Sequence, residues 1–261
     1  MRYIFIDCGS HIGQSVKSFQ ETKLFSQHPW EIFCFEANPF LNHLVLLEEP
    51  FSVNFQQKAV WIKDGTIQFF IDKDPSCEGS SVCEKKTSGK LDKDHPVVVH
   101  CVDLSQWIVK NFKKDDEIIL KMDIEGAEYE VLEKMFKDNS ISYINTLYIE
   151  LHAEKIGLDP QREITLLNKI KKLPIKLITE EEAKTNYSTS EIKIFDSIWF
   201  SKSEKLPVFN RINDLEKKVI QLERQNEWNI EKFKYLQDVE ISKVKTRINE
   251  LKDKVKVKFT V

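Results

Sequence analysis

Acidic residues and one histidine follow two apolar runs that are long enough to form buried strands. Asp123 and Glu125 follow one run, and Glu150 and His152 lie at the end of the next apolar run along the chain. Because side chains alternate between the two faces of a strand, we expect Glu150 and His152 on one face. Carboxylates and an imidazole at neighbouring strand ends can hold a divalent ion or move a proton.

This group of side chains allows three interpretations. Asp123, Glu150 and His152 form a candidate metal site for Mn²⁺ or Mg²⁺, and the single imidazole favours Mn²⁺ or another transition metal. Catalysis can alternatively be metal-free, with His152 or Glu125 as the base beside Asp123. The third interpretation is structural, because an acid at Glu125 or Glu128 also favours a helix N-terminus. The candidate catalytic residues are therefore His152, Glu125 and Asp123.

A second group of residues has the spacing of a nucleotide-binding turn. Asp7, Gly9 and Gly13 occur in D-C-G-S-H-I-G, directly after an apolar run. Glycines at a strand-to-helix turn let the backbone approach a ligand and present amide groups to it. The third glycine of a dinucleotide-binding turn is missing, and an acid precedes the first glycine. This pattern suits S-adenosylmethionine, which has an ammonium and a sulfonium but no phosphate; an ordinary glycine-containing turn is the alternative.

Glu36 ends the second apolar run, roughly 20 residues beyond Gly13, where an acid can accept hydrogen bonds from ribose hydroxyls. A solvated acid at a strand end is the alternative interpretation. We predict that the cofactor is bound by Asp7, Gly9, Ser10, His11, Gly13, Glu36, Asn38, Ala59, Val60 and Asp123.

The elements that must position these residues form an alternating pattern of apolar runs and helix-like stretches, which predicts an α/β fold with parallel strand pairing. The polar segment 62–94 precedes a core strand, and we expect its residues 75–89 to form a mobile loop that covers a site. The strands are predicted at 3–6, 31–35, 52–55, 66–71, 117–122 and 146–151, with an antiparallel pair at 175–178 and 197–200.

Four motifs occur in order along the chain: D-C-G-S-H-I-G, F-E-A-N-P, K-M-D-I-E-G-A-E-Y-E-V-L and I-E-L-H. Through them, residues 3–203 resemble the FkbM-type family of S-adenosylmethionine-dependent O-methyltransferases, and Ser80 and Ser81 also look like part of that family's loop before the fourth strand. The resemblance implies a class I, Rossmann-like methyltransferase fold with a seven-stranded sheet and a reversed last strand. It also implies methyl transfer to a hydroxyl of a sugar, in a glycan or glycoconjugate. Catechol-type and macrolide sugar O-methyltransferases are similar in holding a metal with acids at these strand ends.

Composition divides the chain into a predicted methyltransferase domain, residues 1–203, and a tail, residues 204–261. Their formal charges are −7 and +4, so the body lacks the basic surface of a nucleic-acid binder, and we expect no nucleic-acid partner. The tail contains neither Gly nor Pro after Pro207, and its apolar residues have heptad spacing. We predict a long helix or coiled coil over 209–256 that makes the protein a homo-oligomer; packing on its own domain is the alternative.

Other features restrict the compartment and the function. No apolar run approaches the roughly 18 residues of a membrane span, and Asp7 comes too early for a signal peptide, so we expect a cytoplasmic protein with no transmembrane segment. The five cysteines form no C-x-x-C pair, which favours reduced thiols. Two other functions are alternatives to methyl transfer. A nicotinamide-dependent reductase is disfavoured because the chain has no Tyr-x-x-x-Lys pair, and a catalytically silent scaffold would recruit partners through the C-terminal helix.

Overall fold

The computed structural model describes residues 1–41, 53–74, 77–179, 242 and 244–250. These residues belong to two compact units, the first containing the described residues up to 179 and the second containing 242 and 244–250. The strands of the first unit are β1 (Tyr3–Cys8), β2 (Trp30–Phe35), β3 (Val53–Gln56), β4 (Ala59–Trp61), β5 (Gly65–Phe69), β6 (Val97–Asp103), β7 (Glu117–Met122), β8 (Thr146–Ile149) and β9 (Lys176–Thr179). Its α-helices are α1 (Gln14–Gln20), α2 (Leu104–Asn111), α3 (Glu128–Lys137) and α4 (Pro160–Ile170).

Six of the strands form one parallel sheet in the order β3-β2-β1-β7-β8-β9. The chain builds the sheet outward from β1 to β3, and then returns to place β7 on the other side of β1. Cys8 at the end of β1 is aligned with Phe35 of β2 and with Met122 of β7. The strand order therefore reverses between β1 and β7, which is where open α/β sheets bind ligands.

A smaller sheet has the order β4-β6-β5, in which β4 runs parallel and β5 antiparallel to β6. The short strand predicted at 66–71 corresponds to β5. Ala59 and Val60 of β4 are buried, and Val60 is aligned with Val102 of β6, which belongs to the same core cluster.

Burial explains why the central strands read as continuous apolar runs. Ile4, Ile6, Ile118 and Leu120 have no exposed surface, because helices cover both faces of the parallel sheet. Asp7 and Lys121 interrupt these runs and are almost completely buried. Since a buried charge needs a partner, the charged residues at these two positions indicate an interaction between the ends of β1 and β7.

The described residues confirm the α/β class and a mostly parallel sheet, but they show six strands and not seven. The last described strand, β9, is parallel to β8, and the reversed partner expected at 197–200 lies outside the described residues. The strand predicted at 146–151 ends at Ile149, so Glu150 and His152 follow the strand. Residues 242 and 244–250 are helical, while the rest of the predicted coiled coil lies outside the described residues. No helix among the described residues is long and apolar enough to span a membrane.

Candidate active site

A cavity of about 340 Å³ lies at the carboxyl ends of β1, β2, β7 and β8 and beside the start of β4. Nine residues predicted for cofactor binding or chemistry line it: Gly9, Ser10, His11, Glu36, Ala59, Val60, Asp123, Glu125 and Glu150. The other four, Asp7, Gly13, Asn38 and His152, are not part of its lining. Each of these four contacts a lining residue or shapes the loop that contributes one, as described below.

The loop between β1 and α1 is attached to the end of β2. The amides of Gly9 and Ser10 both donate to the carbonyl oxygen of Phe35, at 2.9 and 3.0 Å. Gly9, His11 and Gly13 have φ angles of +79°, +48° and +96°. Gly13 therefore acts by turning the backbone into α1, a conformation that glycine adopts without steric cost.

Gly9→Ala is expected to weaken cofactor binding by at least about tenfold and to lower thermal stability. An added Cβ would lie 1.8 Å from the backbone oxygen of Asp123, so the loop would have to move away from β7. Gly65→Ala is the matched control, because Gly65 also has a positive φ of +137° but has open space around its added Cβ. Equal losses in the two variants, measured by calorimetric titration and thermal unfolding, would show that backbone strain and not the close approach matters.

Glu36 joins the first two loops of the site. Its Oε2 accepts from the amide of His11 at 2.8 Å, and its Oε1 accepts from the amide of Asn38 at 2.7 Å. A carboxylate has about four acceptor positions, so each oxygen keeps capacity for a further hydrogen bond from a ligand. Asn38 is buried and contributes through its backbone to Glu36, while its side-chain oxygen accepts from the amide of Phe40.

Glu36→Gln is expected to lower the affinity for S-adenosylmethionine by about 10- to 100-fold. The glutamine side chain can accept at one oxygen only, and its NH₂ group would face a backbone N–H. Because hydrogen bonds to charged groups contribute about 1.5–3 kcal/mol each, we expect a large loss of affinity. Glu154→Gln serves as the control, because Glu154 is an exposed acid outside the cavity. If titration shows the same affinity for both variants, Glu36 does not contact the cofactor.

Asp7 is fully buried and pairs with Lys121, on the neighbouring strand. The Nζ atom of Lys121 lies 3.2 Å from Oδ1 of Asp7, donates to the carbonyl oxygen of Gly9 at 2.9 Å and lies 3.5 Å from Oδ2 of Asp123. Burial raises the pKa of Asp7, and Lys121 opposes this effect. Burial alone would lower the pKa of Lys121, but the charges of Asp7 and Asp123 outweigh it and raise that pKa. Lys121 has no role among the site residues predicted from the sequence, although a lysine in a buried strand indicates an anionic partner.

His152 lies at the centre of a group of carboxylates. Its Nδ1 is 2.9 Å from Oε1 of Glu128. Its Nε2 lies 3.2 Å from Oε1 of Glu150, 3.4 Å from Oε2 of Glu125 and 3.8 Å from Oδ1 of Asp123. The structure therefore brings together all four residues that the sequence placed at these two strand ends.

Glu128 orients the imidazole of His152 by contacting its Nδ1 atom. It is completely buried, and its carboxylate accepts hydrogen bonds from the backbone amides of Ile124 and Gly126 as well as contacting His152. These contacts fix both the turn that carries Glu125 and the orientation of the imidazole. The sequence predicts Glu128 only as a residue that favours a helix start, because its pairing with His152 depends on tertiary structure.

Glu125 is held by the segment that precedes β6. Its Oε2 lies 2.6 Å from the Nζ of Lys86, and its carbonyl oxygen accepts from the hydroxyl of Ser81 at 2.6 Å. Glu125 has a φ of +57°, a conformation that costs energy for a residue other than glycine and is often found at functional sites. The described part of this segment also contributes cavity lining: Cys77, Glu78, Ser80 and Val82.

The protonation of the group follows from its close packing. Burial alone would lower the pKa of His152, but the hydrogen bond to Glu128 and the neighbouring carboxylates raise it to about 10. Burial opposes ionisation of Glu150, yet the contact with His152 lowers its pKa to about 2. Burial, together with the charges of Glu150 and Glu125, raises the pKa of Asp123 to about 6, although Lys121 opposes this shift. The site thus favours a positive charge at the position of the His152 Nε2.

Among the described residues, Asp123, Glu128 and His152 offer potential metal-ligand atoms that lie within 4.8 Å of one another. This set shares two members with the predicted one, but it contains Glu128 in place of Glu150. Since Glu128 already accepts from two backbone amides and contacts Nδ1, we regard it as a group that orients the histidine. Glu150 lies on the Nε2 side and lines the cavity.

A parallel sheet with a glycine-containing loop after β1 and an acid after β2 defines a Rossmann-like domain. Within this class, the chain matches the Methyltransferase FkbM domain family over residues 7–172, which is more than half of its length. The chain therefore belongs to the FkbM methyltransferase family, as the motifs indicated. The comparisons found no match among curated proteins and none among solved structures.

Proposed function

We propose that this protein transfers the methyl group of S-adenosylmethionine to a hydroxyl group of a sugar in a glycan or glycoconjugate. The observation that carries the proposal is the juxtaposition of two sets of residues around one cavity. Glu36 and the loop after β1 form one side, and the carboxylates around His152 form the other. A cofactor and an acceptor can thus meet at the switch point of the sheet.

The cofactor side fits S-adenosylmethionine in charge and hydrogen bonding. Among the described residues, each carboxylate oxygen of Glu36 accepts one backbone hydrogen bond, which leaves acceptor positions for two ribose hydroxyls. The loop from Gly9 to His11 brings backbone close to the ligand, and the neighbouring acids Asp123 and Glu150 favour its cationic groups. When bound, S-adenosylmethionine supplies both the electrophilic methyl carbon and the thioether leaving group.

The acceptor side must remove a proton from a weakly acidic hydroxyl. We propose that Glu125 accepts this proton as the oxygen bonds to the methyl carbon and the carbon–sulfur bond breaks. Glu125 lines the cavity, and its contact with Lys86 and the bond from Ser81 to its carbonyl hold it in place. Glu128 keeps His152 directed toward the same point.

The residues around His152 also fit a divalent cation. The Nε2 of His152 and the Oδ1 of Asp123 are buried, and neither has a hydrogen-bond partner among the described residues. We propose that Asp123, Glu150 and His152 hold Mn²⁺ or Mg²⁺, with the imidazole favouring Mn²⁺. Such an ion would lower the pKa of the acceptor hydroxyl and stabilise the developing alkoxide.

Calorimetric titration of the full chain with S-adenosylmethionine and S-adenosylhomocysteine tests the cofactor. It is run after chelator treatment and again with Mn²⁺ or Mg²⁺, with NADH as the comparison ligand. Micromolar binding of S-adenosylmethionine and S-adenosylhomocysteine, but not of NADH, supports the proposed cofactor. Transfer of the labelled methyl group to a panel of saccharides supports the proposed class of acceptor. Absence of binding under all conditions would contradict the methyltransferase proposal and favour the scaffold.

A further inference from the structure

A second cavity, of about 290 Å³, adjoins the first one, with which it shares Glu78, Glu125 and Lys155. Its volume is near the lower end of the range for small-molecule sites. Glu125, the residue proposed to accept the hydroxyl proton, thus lies where the two cavities meet. A ligand in the second cavity would reach the reacting centre without displacing a cofactor from the first.

The wall of this second cavity is built by specific contacts. Asp72 is buried, and its Oδ1 accepts from the backbone amides of Asp74 and Lys90 at 2.9 Å each. Gly79 and Gly89 pass so close that an added Cβ would lie 2.2 and 2.5 Å from the Asp72 carboxylate. These contacts give the described part of the segment one defined shape, in which its backbone surrounds the Asp72 side chain.

The same segment is attached to the other side of the cavity. The amide and the hydroxyl of Thr87 both donate to the carbonyl oxygen of Lys155, at 2.6 and 2.9 Å. The next residue, Ser88, lines the cavity, and its hydroxyl is buried with no hydrogen-bond partner among the described residues. A buried hydroxyl without a partner costs free energy, so a polar ligand that accepts from or donates to this atom would gain a hydrogen bond.

The chemistry of the lining defines the ligand class. Among the described residues, the lining carries four carboxylates and three ammonium groups and contains no aromatic or large apolar side chain. Such mixed charges can exchange hydrogen bonds with many hydroxyls, but a diphosphate would meet more negative than positive charge. The lining therefore favours an uncharged, hydroxyl-rich ligand over a nucleotide-linked sugar.

We infer that this second cavity is the acceptor subsite and that it binds an uncharged saccharide unit that is not linked to a nucleotide. The inference rests on the proposed function, because it assigns the place and the chemical state of the proposed acceptor. Ser88 is a binding residue in it, and Lys86 is a positioning residue that holds Glu125 at the junction.

Saccharide binding to the full chain, measured without cofactor by ligand-observed nuclear magnetic resonance, tests the inference. The probes are a panel of methyl glycosides of common hexoses and the corresponding uridine-diphosphate sugars. Ser88→Trp fills the cavity and is expected to weaken glycoside binding at least about tenfold, and Ser88→Ala is expected to weaken it about threefold to tenfold. Lys85→Trp is the control, because Lys85 is exposed in the same segment and lines neither cavity.

Weaker glycoside binding in the Ser88 variants, with normal binding in Lys85→Trp, supports the subsite. Should Ser88→Trp fail to fold, as seen by thermal unfolding, the Ser88→Ala result decides. The inference is overturned by unchanged binding in the folded Ser88 variants, by tighter binding of the uridine-diphosphate sugars, or by no glycoside binding to the unsubstituted chain. The proposed function itself fails only if the titration shows no cofactor binding or the assay shows no methyl transfer, and neither result depends on the glycoside measurement.

Discussion

His152→Ala is expected to reduce methyl transfer by about 10³-fold or more, while the affinity for S-adenosylmethionine stays within a few-fold. The imidazole does not line the cofactor cavity, but its Nε2 is the point on which Asp123, Glu125 and Glu150 converge. A metal ion at such a point contributes several kcal/mol of transition-state stabilisation, and each 1.36 kcal/mol corresponds to a tenfold change in rate.

Three measurements separate this role from a structural one. Turnover and cofactor affinity are measured first, and binding of Mn²⁺ is then followed by electron paramagnetic resonance in the absence of any substrate. His95→Ala is the control, because His95 is a largely exposed histidine outside the cavity. Turnover at the unsubstituted level in His152→Ala would exclude a catalytic role, and unchanged Mn²⁺ binding would exclude the histidine as a ligand.

Lys121→Met is expected to lower the free energy of unfolding by about 3–5 kcal/mol, the usual cost of removing one partner from a buried ion pair. Lys121 is 3% exposed and Asp7 has no exposed surface, so water cannot replace the lost ammonium group. The loss also removes the donor to the carbonyl oxygen of Gly9. We therefore expect weaker cofactor binding as well, because the loop after β1 would lose one of its attachments to β7.

A double-mutant cycle with Asp7→Asn tests the reason for this loss. Removing both charged partners is much less costly than removing one, so Lys121→Met combined with Asp7→Asn should recover a large part of the stability. Chemical denaturation of the four proteins gives the coupling free energy. Additive losses from the two substitutions would show that Asp7 and Lys121 do not depend on each other.

The positions of the site residues could be predicted wherever a reactive or charged residue directly follows a predicted strand. Glu36, Asp123 and Glu150 each follow an apolar run, and parallel strands present their carboxyl ends at one edge of a sheet. Local sequence is sufficient for this prediction, because the hydrophobic pattern defines the strand and the strand defines the edge. Asp7 is different: its strand continues to Cys8, so its side chain is buried inside the sheet and does not line the cavity.

The partners of these residues could not be predicted in the same way. Lys86 is 39 positions before Glu125 in the chain, and nothing in its neighbourhood distinguishes it from the other lysines of that polar segment. It is the folding of the segment around Asp72 and Gly79 that brings the Lys86 ammonium to the Glu125 carboxylate. Likewise, Glu128 contacts His152 only because α3 begins beside the end of β8.

The sequence by itself determined the α/β class, the family and the edge of the sheet at which the acidic residues and the histidine lie. These features depend on hydrophobic periodicity and on short motifs, which act over a few residues at a time. Only the tertiary structure decided that Asp7 pairs with Lys121, that Glu128 orients His152, and that a second cavity meets the first at Glu125. Such contacts join atoms far apart in the chain, and their geometry depends on how the strands, the helices and the segment before β6 pack together.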